Sequence, residues 1–409
     1  MSAASVLLVT EQVDVGGKRS HVEILKAGLE VIGWNAPLVD WASLSWPERA
    51  IAAAPYRMLH ALSPGAGYPW LLPVATSFLA RAIRRRLAAP DAPGLVHVQE
   101  VLTYRAARAA ARGRPVVLTI HGPLGPELSM VSGLPLDHPA VERLRRVERE
   151  AYLGADLVIS VDGPHAAYVR SFGRAGAIPV IPNFVDTRRY HPGVAAGPLP
   201  PAVEGWIAGR PVVLVPRRLV PKNGIATAVR MARVMMDRGV PAAIVLAGDG
   251  PQRRELEALA RDLGVAPALT FLGEVRQAAI PGWLIRAAVV LVPSSPVQGV
   301  EEATSIAALE AQACGRPVVA SAIGGLVEII EDGSTGRLVP PDAPEQLADA
   351  TCGLLADPAQ AAAIGGAAAR FVAAEHSHVH GARLYAAAYE SVLARAPATY
   401  ARVARLAGA

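Results

Sequence analysis

Two glutamates eight residues apart bracket the segment Glu302-Ala-Thr-Ser-Ile-Ala-Ala-Leu-Glu310. Ionised carboxylates only accept hydrogen bonds, which suits them to holding hydroxyl groups. Thr304 and Ser305 are good N-cap residues, and Ile306 to Leu309 carry a helix onward. Glu302 is therefore expected in the loop before the helix, and Glu310 about two turns inside it. The two carboxylates then stand roughly 12 Å apart along the axis. Around it they lie within about 80° of one another. Between them are the unpaired backbone N–H groups of the helix start, a natural anion site. Carboxylate, anion socket, carboxylate suits a sugar nucleotide, with its hydroxyls, diphosphate and ribose. Taken alone, the pair also fits two surface glutamates on a solvated helix.

The flanks narrow the choice. Ala287–Val292 is an apolar run that reads as a buried strand, followed by Pro293-Ser-Ser295. Cys314-Gly315 reads as a helix stop before another strand. Glu302 thus belongs at the carboxyl end of a parallel strand, the edge where open α/β sheets bind ligands.

Lysine usage points to two more loops. Of 40 basic residues only Lys18, Lys26 and Lys222 are lysines. Lys18 and Lys222 both sit in glycine-containing loops, where a compact ammonium can approach a phosphate as a point charge. Val13-Asp-Val-Gly16-Gly17-Lys18 joins the first strand to the first helix, and its glycines let the backbone come close to a ligand. A plain βα turn is the alternative. The loop is not Gly-x-Gly-x-x-Gly, which disfavours dinucleotide binding. In Pro216-Arg217-Arg218-Leu-Val-Pro-Lys222-Asn-Gly224, Arg217 and Lys222 can grip a diphosphate, one by its fork and one as a point charge. A departing nucleoside diphosphate gains negative charge, so cations fixed there favour the transition state over the ground state. The alternative is a pair of exposed cations.

Other candidates weigh less. Gly248-Asp249-Gly250-Pro251 reads as a structural turn edging a cleft, because no Asp-x-Asp pair accompanies Asp249. His121-Gly122 follows a strand, and His121 either enters the core or faces the cleft. His376, His378 and His380 alternate without a carboxylate or Cys at fitting spacing, so no metal site is expected. Trp70–Arg86 reads as an ordinary helix with a solvated Arg cluster, with contact to an anionic membrane surface as the other reading.

These groups need a scaffold. A chain of 409 residues exceeds the size of one core. Its apolar content of 52% suffices for two. The net charge of +5 is too diffuse for nucleic acid. Cys314 and Cys352 alone cannot form a disulfide framework, so a reducing cytosol is expected. The N-terminal stretch lacks the basic flank of a signal peptide. No apolar run approaches the roughly 20 residues of a membrane span. Val6–Thr10, Leu95–Gln99, Val116–Ile120, Leu157–Val161 and Ile178–Ile181 read as strands, with helices His21–Ile32 and Val141–Leu153 among them. The Pro- and Gly-rich stretch Gly193–Gly209 reads as a linker. The pattern then restarts with strands Val212–Val215, Ala243–Ala247, Leu269–Phe271, Val289–Val292 and Val318–Ala320. The expected fold is α/β: two doubly wound, Rossmann-like domains facing a cleft. Their bounds are 1–192 and 210–375, with a linker at 193–209. A helical segment at 376–409 packs back on the first domain.

The motifs, in order, are Gly16-Gly17, His121-Gly122, Ile181-Pro-Asn183-Phe-Val-Asp186, Arg217 with Lys222, Gly248-Asp-Gly-Pro251, Phe271-Leu-Gly-Glu-Val275, the Glu302/Glu310 pair and Ala322-Ile-Gly324-Gly325-Leu-Val-Glu328. Together they resemble glycosyltransferase family 4, retaining enzymes of GT-B fold, over nearly the whole chain. The resemblance implies that Glu302 holds donor-sugar hydroxyls and Glu310 the ribose. Arg217 and Lys222 would bind the diphosphate, helped by amides after Thr304, at Ser305 and Ile306, and at Gly16 and Gly17. His121 would lie beside the donor sugar. The turn at Gly250 would edge the donor site, and the Gly273–Val275 backbone would meet the base. Acceptor residues would come from the first domain. Two departures stand out. Asn183-Phe replaces the common Asn-Gly. In the basic loop, counting from Lys222 selects Arg217, while counting from Gly224 selects Arg218 and Asn223.

The implied activity is transfer of a hexosyl-type unit from a UDP- or GDP-sugar to an acceptor hydroxyl on a glycan, a lipid-linked glycan or a small metabolite. Neither metal nor cofactor is expected. Double displacement needs a carboxylate nucleophile, and the first domain offers no evident candidate, so a front-face mechanism is expected. The rivals are a GT-B sugar-nucleotide epimerase and a catalytically silent GT-B binding protein. The expected location is the cytoplasm, with the inner membrane face as a peripheral site.

Overall fold

The computed structural model describes residues 4–11, 17–51 and 68–395, with side chains from Thr76 in the last stretch. Gly16, and the chain beyond Arg395, lie outside the described residues. Two compact units form, Met1–Pro182 with His378–Ala409, and Asn183–Ser377.

The first unit is a parallel sheet of β1 (Val6–Val9), β2 (Leu38–Val39), β3 (Leu95–Val98), β4 (Val116–Ile120) and β5 (Leu157–Ser160), in the order β2-β1-β3-β4-β5. Every residue of β1, β3, β4 and β5 is buried. Parallel strands covered by helices on both faces require this, which is why they read as unbroken apolar runs. The helix His378–Arg395 packs along the helix Gly17–Val31. Gly28 permits the approach, since a Cβ there would stand 2.2 Å from the His378 carbonyl oxygen.

The second unit contains β6 (Val212–Val215), β7 (Ala243–Ala247), β8 (Leu269–Gly273), β9 (Ala287–Val292), β10 (Val318–Ser321) and β11 (Arg337–Val339). Their order is β11-β10-β9-β6-β7-β8, all parallel. One apolar cluster covers each face, with Val213, Leu246 and Met231 in one and Leu214, Val292 and Leu309 in the other. Burying each such side chain contributes about 1.5–3 kcal/mol. The winding direction reverses between β1 and β3 in the first sheet and between β6 and β9 in the second. Ligands of doubly wound sheets sit at that reversal, outside the carboxyl ends of the strands.

Three expectations need correction. Ile178–Ile181 forms only a bridge between Ser160 and Val180. Pro179 and Pro182 lack the N–H a longer strand would need. The 193–209 stretch belongs to the second unit, contains the helix Pro201–Ile207, and is held by Arg286, whose Nε donates to the Ala196 carbonyl. The units therefore divide after Pro182, ten residues before the expected boundary. The second unit's two ends meet: Val185 N donates to His376 O at 2.9 Å, and His376 Nδ1 donates to Asn183 O at 3.0 Å. The short edge strands β2 and β11 escaped the sequence reading.

Candidate functional site

In the second unit, the loop after β6 and the loop after β9 meet at the reversal point. Ser295 N donates to Lys222 O at 3.0 Å. Gly224 turns the chain with φ +62°, and a Cβ there would lie 1.8 Å from the Pro293 carbonyl oxygen. The Gly248-Asp-Gly-Pro251 turn supports the first loop from beneath: Leu219 N donates to Asp249 O and Gln252 N to Leu219 O. Gly250 is therefore part of the support, as a structural turn should be.

Arg217 lies at the centre, buried. Its guanidinium meets Glu302 by two parallel bonds, Nη1 to Oε1 at 3.0 Å and Nη2 to Oε2 at 2.7 Å. Nη1 also donates to Ser305 Oγ at 2.7 Å, and Nη2 to Asn223 Oδ1. Burial alone would raise the Glu302 carboxyl. The Arg217 charge and hydrogen bonds, with Lys222, outweigh it and hold the carboxyl below its ordinary value. Glu302 is thus a fixed, ionised acceptor. Arg218 is exposed, and only its carbonyl takes part, accepting from Asn223 Nδ2 at 2.7 Å.

The helix Ile306–Ala313 begins beside this pair. Ser305 is its N-cap, but its side chain makes no capping bond; its Oγ accepts from Arg217 instead. The first amides of the helix, from Ile306 on, are left without a side-chain cap, as an anion site requires. Thr304 is tied instead to the Ile-Pro-Asn motif: Asn183 N donates to Thr304 Oγ1 at 2.9 Å and Asn183 Nδ2 to Thr304 O. Gly325 N donates to Glu302 O at 2.9 Å, which pins the acidic loop from the other side.

Glu310 sits on the same helix but is buried. It accepts from Gln277 Nε2 at 3.1 Å and is hydrogen-bonded to Tyr190. Burial pushes its carboxyl up to about 7, against the hydrogen bond from Tyr190 and the charge of Arg189. Val275, two residues past β8, is half-buried.

The first unit has its own cluster at its reversal point. Lys18, Gln99, Glu100, Thr119, His121 and Glu127 line a cavity of about 30 Å³, with Glu11 at its edge. Gly17 is exposed at the start of the helix beside Lys18. Glu100 is buried and accepts from Thr10 Oγ1 and, at 3.3 Å, from Glu11 N. Burial, then the Glu100 charge, pushes the Glu11 carboxyl up to about 8, with Lys18 opposing. Glu100 is raised by burial as well. The pair therefore carries a proton at neutral pH. His121 keeps an open surface on the cavity, yet the protein encloses the ring closely. Burial, then His21, Lys18, His97 and His165, lowers its pKa well below the ordinary value, so the ring is neutral.

Arg217, Lys222, Glu302, Thr304, Ser305 and Ile306 thus gather in the second unit, and Lys18 and His121 in the first. Glu11, Glu100, Gln99 and His97 were missed. The signal was present in Leu95-Val-His-Val-Gln-Glu100, where polar residues interrupt a buried strand near its carboxyl end. Among the described residues no three metal-ligating side chains converge. No described helix is long and apolar enough to cross a membrane.

Two doubly wound parallel sheets, each with polar residues at its reversal point, define the GT-B class. The solved sucrose-phosphate synthase of Thermosynechococcus elongatus shares this fold with a TM-score of 0.75 and 25% identity, over 96% of this chain and 99% of that one. The Glycosyltransferase Family 4 model matches residues 16–189, and the Glycosyl transferases group 1 model matches residues 210–357. A D-inositol 3-phosphate glycosyltransferase of Arthrobacter sp. (strain FB24) is 30% identical over 70% of this chain and 73% of its own length. The chain belongs to glycosyltransferase family 4. A GDP-mannose-dependent alpha-(1-6)-phosphatidylinositol monomannoside mannosyltransferase of Mycobacterium tuberculosis (strain CDC 1551 / Oshkosh) is 34% identical over 56% of this chain. The match spans 60% of that relative's length.

Proposed function

We propose that the protein is a retaining glycosyltransferase that moves a hexosyl-type unit from a nucleoside-diphosphate sugar to an acceptor hydroxyl. The observation that carries this is the Arg217–Glu302 pair, buried at the second sheet's reversal point beside an uncapped helix start and Lys222. The diphosphate takes the amides of Ile306 and its neighbours, with Lys222 as counter-charge. Arg217 adds positive charge behind the same face while it orients Glu302. Glu302, already ionised, accepts from the sugar hydroxyls. As the glycosidic bond lengthens, charge collects on the leaving phosphate, where these donors point.

The chemistry proceeds without metal and by a front-face path. Retention by double displacement needs an ionised carboxylate beneath the anomeric carbon. The front-face path calls for no such nucleophile and no side-chain base. The departing phosphate oxygen then takes the proton of the acceptor hydroxyl. The first unit supplies the acceptor groups and His121. The M. tuberculosis relative is by name GDP-mannose-dependent, and a GDP- or UDP-sugar fits the same chemistry here.

The deciding test is Glu302→Gln. Transfer, followed by release of nucleoside diphosphate in the presence of acceptor, should fall on the order of a hundredfold. Nucleoside-diphosphate affinity should change little. Normal turnover removes Glu302 from the reaction, and a glycosyl–enzyme adduct trapped on any carboxylate overturns the front-face path. Conversion of donor without acceptor would mark an epimerase instead.

A further inference from the structure

A polar seam crosses one face of the first unit's otherwise apolar sheet. His97 and Gln99 stand two residues apart along β3 and its end, and Thr119 and His121 do the same on β4. Alternation along a strand puts each couple on one face. The seam begins on the helix His378–Arg395, where Tyr389 Oη lies 2.7 Å from His97 Nδ1. His97 Nε2 lies 2.8 Å from Thr119 Oγ1. The Gln99 amide nitrogen is 3.2 and 3.3 Å from the two ring nitrogens of His97. The Gln99 amide oxygen is 3.1 Å from His121 Nε2. His97, Gln99, Thr119 and Tyr389 are all essentially inaccessible to solvent. Burying so many polar groups is costly unless each is satisfied, and satisfied networks hold their members in one arrangement.

The amide of Gln99 has a donor end and an acceptor end. Its nitrogen is turned toward His97, so its oxygen is turned toward His121. An amide oxygen only accepts, and His121 must therefore present Nε2–H. The other ring nitrogen, Nδ1, makes no hydrogen bond among the described residues, and the ring lines the cavity. In a neutral ring that nitrogen is an acceptor.

We infer that Gln99 is a positioning residue that locks His121 in the Nε2–H tautomer, leaving Nδ1 to accept a hydrogen bond from a substrate hydroxyl. His97, oriented in turn by Tyr389 and Thr119, sets which way the amide faces. The substrate in this inference rests on the glycosyltransferase reading, whereas the tautomer does not.

The test is long-range ¹H–¹⁵N correlation on the ¹⁵N-labelled full-length protein, with His121→Asn identifying the ring's signals. The Nε2–H pattern is expected for His121. Gln99→Met removes the acceptor and should yield a mixture of tautomers. Gln99→Glu keeps an oxygen acceptor and should retain Nε2–H at alkaline pH. In transfer assays Gln99→Met should lower kcat on the order of tenfold or more, as loss of an orienting partner does, while nucleoside-diphosphate Kd stays unchanged. An Nδ1–H tautomer in the unmodified protein overturns the inference, and so does an unaltered tautomer with full kcat in Gln99→Met. The unmodified protein's tautomer decides the matter even where Gln99→Met fails to fold. If the tautomers behave as stated but no sugar is transferred, the glycosyltransferase reading falls and the Gln99 assignment stands.

Discussion

Replacing Arg217 by Met keeps most of the side chain's bulk and removes its charge. Glu302 would then remain buried with its two strong bonds gone, and Ser305 and Asn223 would each lose a donor. Removing one partner of a buried ion pair costs about 3–5 kcal/mol, mostly because the survivor is an uncompensated charge. The pH dependence separates this cause from lost packing. In the unmodified protein the Glu302 pKa is depressed. Its contribution is present above the unfolded carboxylate pKa and is lost as pH falls through the folded value. In Arg217→Met, burial dominates and the pKa rises above the unfolded value. The variant then takes up a proton on folding and recovers stability as pH falls. The gap between the two proteins should shrink by up to about 1.4 kcal/mol per pH unit between the two carboxyl pKa values. Urea unfolding at about pH 8 and about pH 5, extrapolated linearly, measures it. Arg217→Met with Glu302→Leu should regain most of the loss. A cost below about 1 kcal/mol, or one equal at both pH values, would refute the role given to the pair.

Glu310 supplies a second pH test of opposite sign. Its carboxyl is raised to about 7, so its contribution is complete below the unfolded pKa and is lost as pH rises to the folded one, up to about 3 kcal/mol in all. Glu310→Gln should abolish that decline in urea unfolding between pH 4.5 and neutrality; an unchanged decline assigns it elsewhere. Lys222→Ala should weaken nucleoside-diphosphate binding on the order of tenfold in calorimetric titration, about 1.4 kcal/mol. An unchanged affinity would remove Lys222 from the anion seat.

How much was legible in the sequence depended on whether the cause was local. The parallel strands declared themselves because burial on both faces demands unbroken apolar runs, as in Val212–Val215. The helix start at Ser305 was legible from residue type. What Ser305 does there was not, because its partner Arg217 is 88 positions away. The same holds for Glu302: its spacing to Glu310 was visible, but its ion pair was not. Glu310 was read as facing ligand, and only the fold reveals Gln277 and Tyr190 against it. The strand expected at Ile178–Ile181 failed for a local reason, since its prolines cannot donate. His97 and Gln99 escaped notice because two polar residues in a short apolar run look like noise until the neighbouring strand brings Thr119 and His121 beside them.

The pairing of the helix His378–Arg395 with Gly17–Val31 sets a timetable for biosynthesis. A ribosome delivers the second of these stretches more than 340 residues after the first. Until then the growing polypeptide carries the apolar flank of Gly17–Val31 uncovered, while everything from Asn183 to Ser377 has already emerged and can collapse by itself. Stalling or truncation upstream of residue 378 should therefore yield a product half finished in a defined way: a native middle and a sticky beginning, a natural client for chaperones.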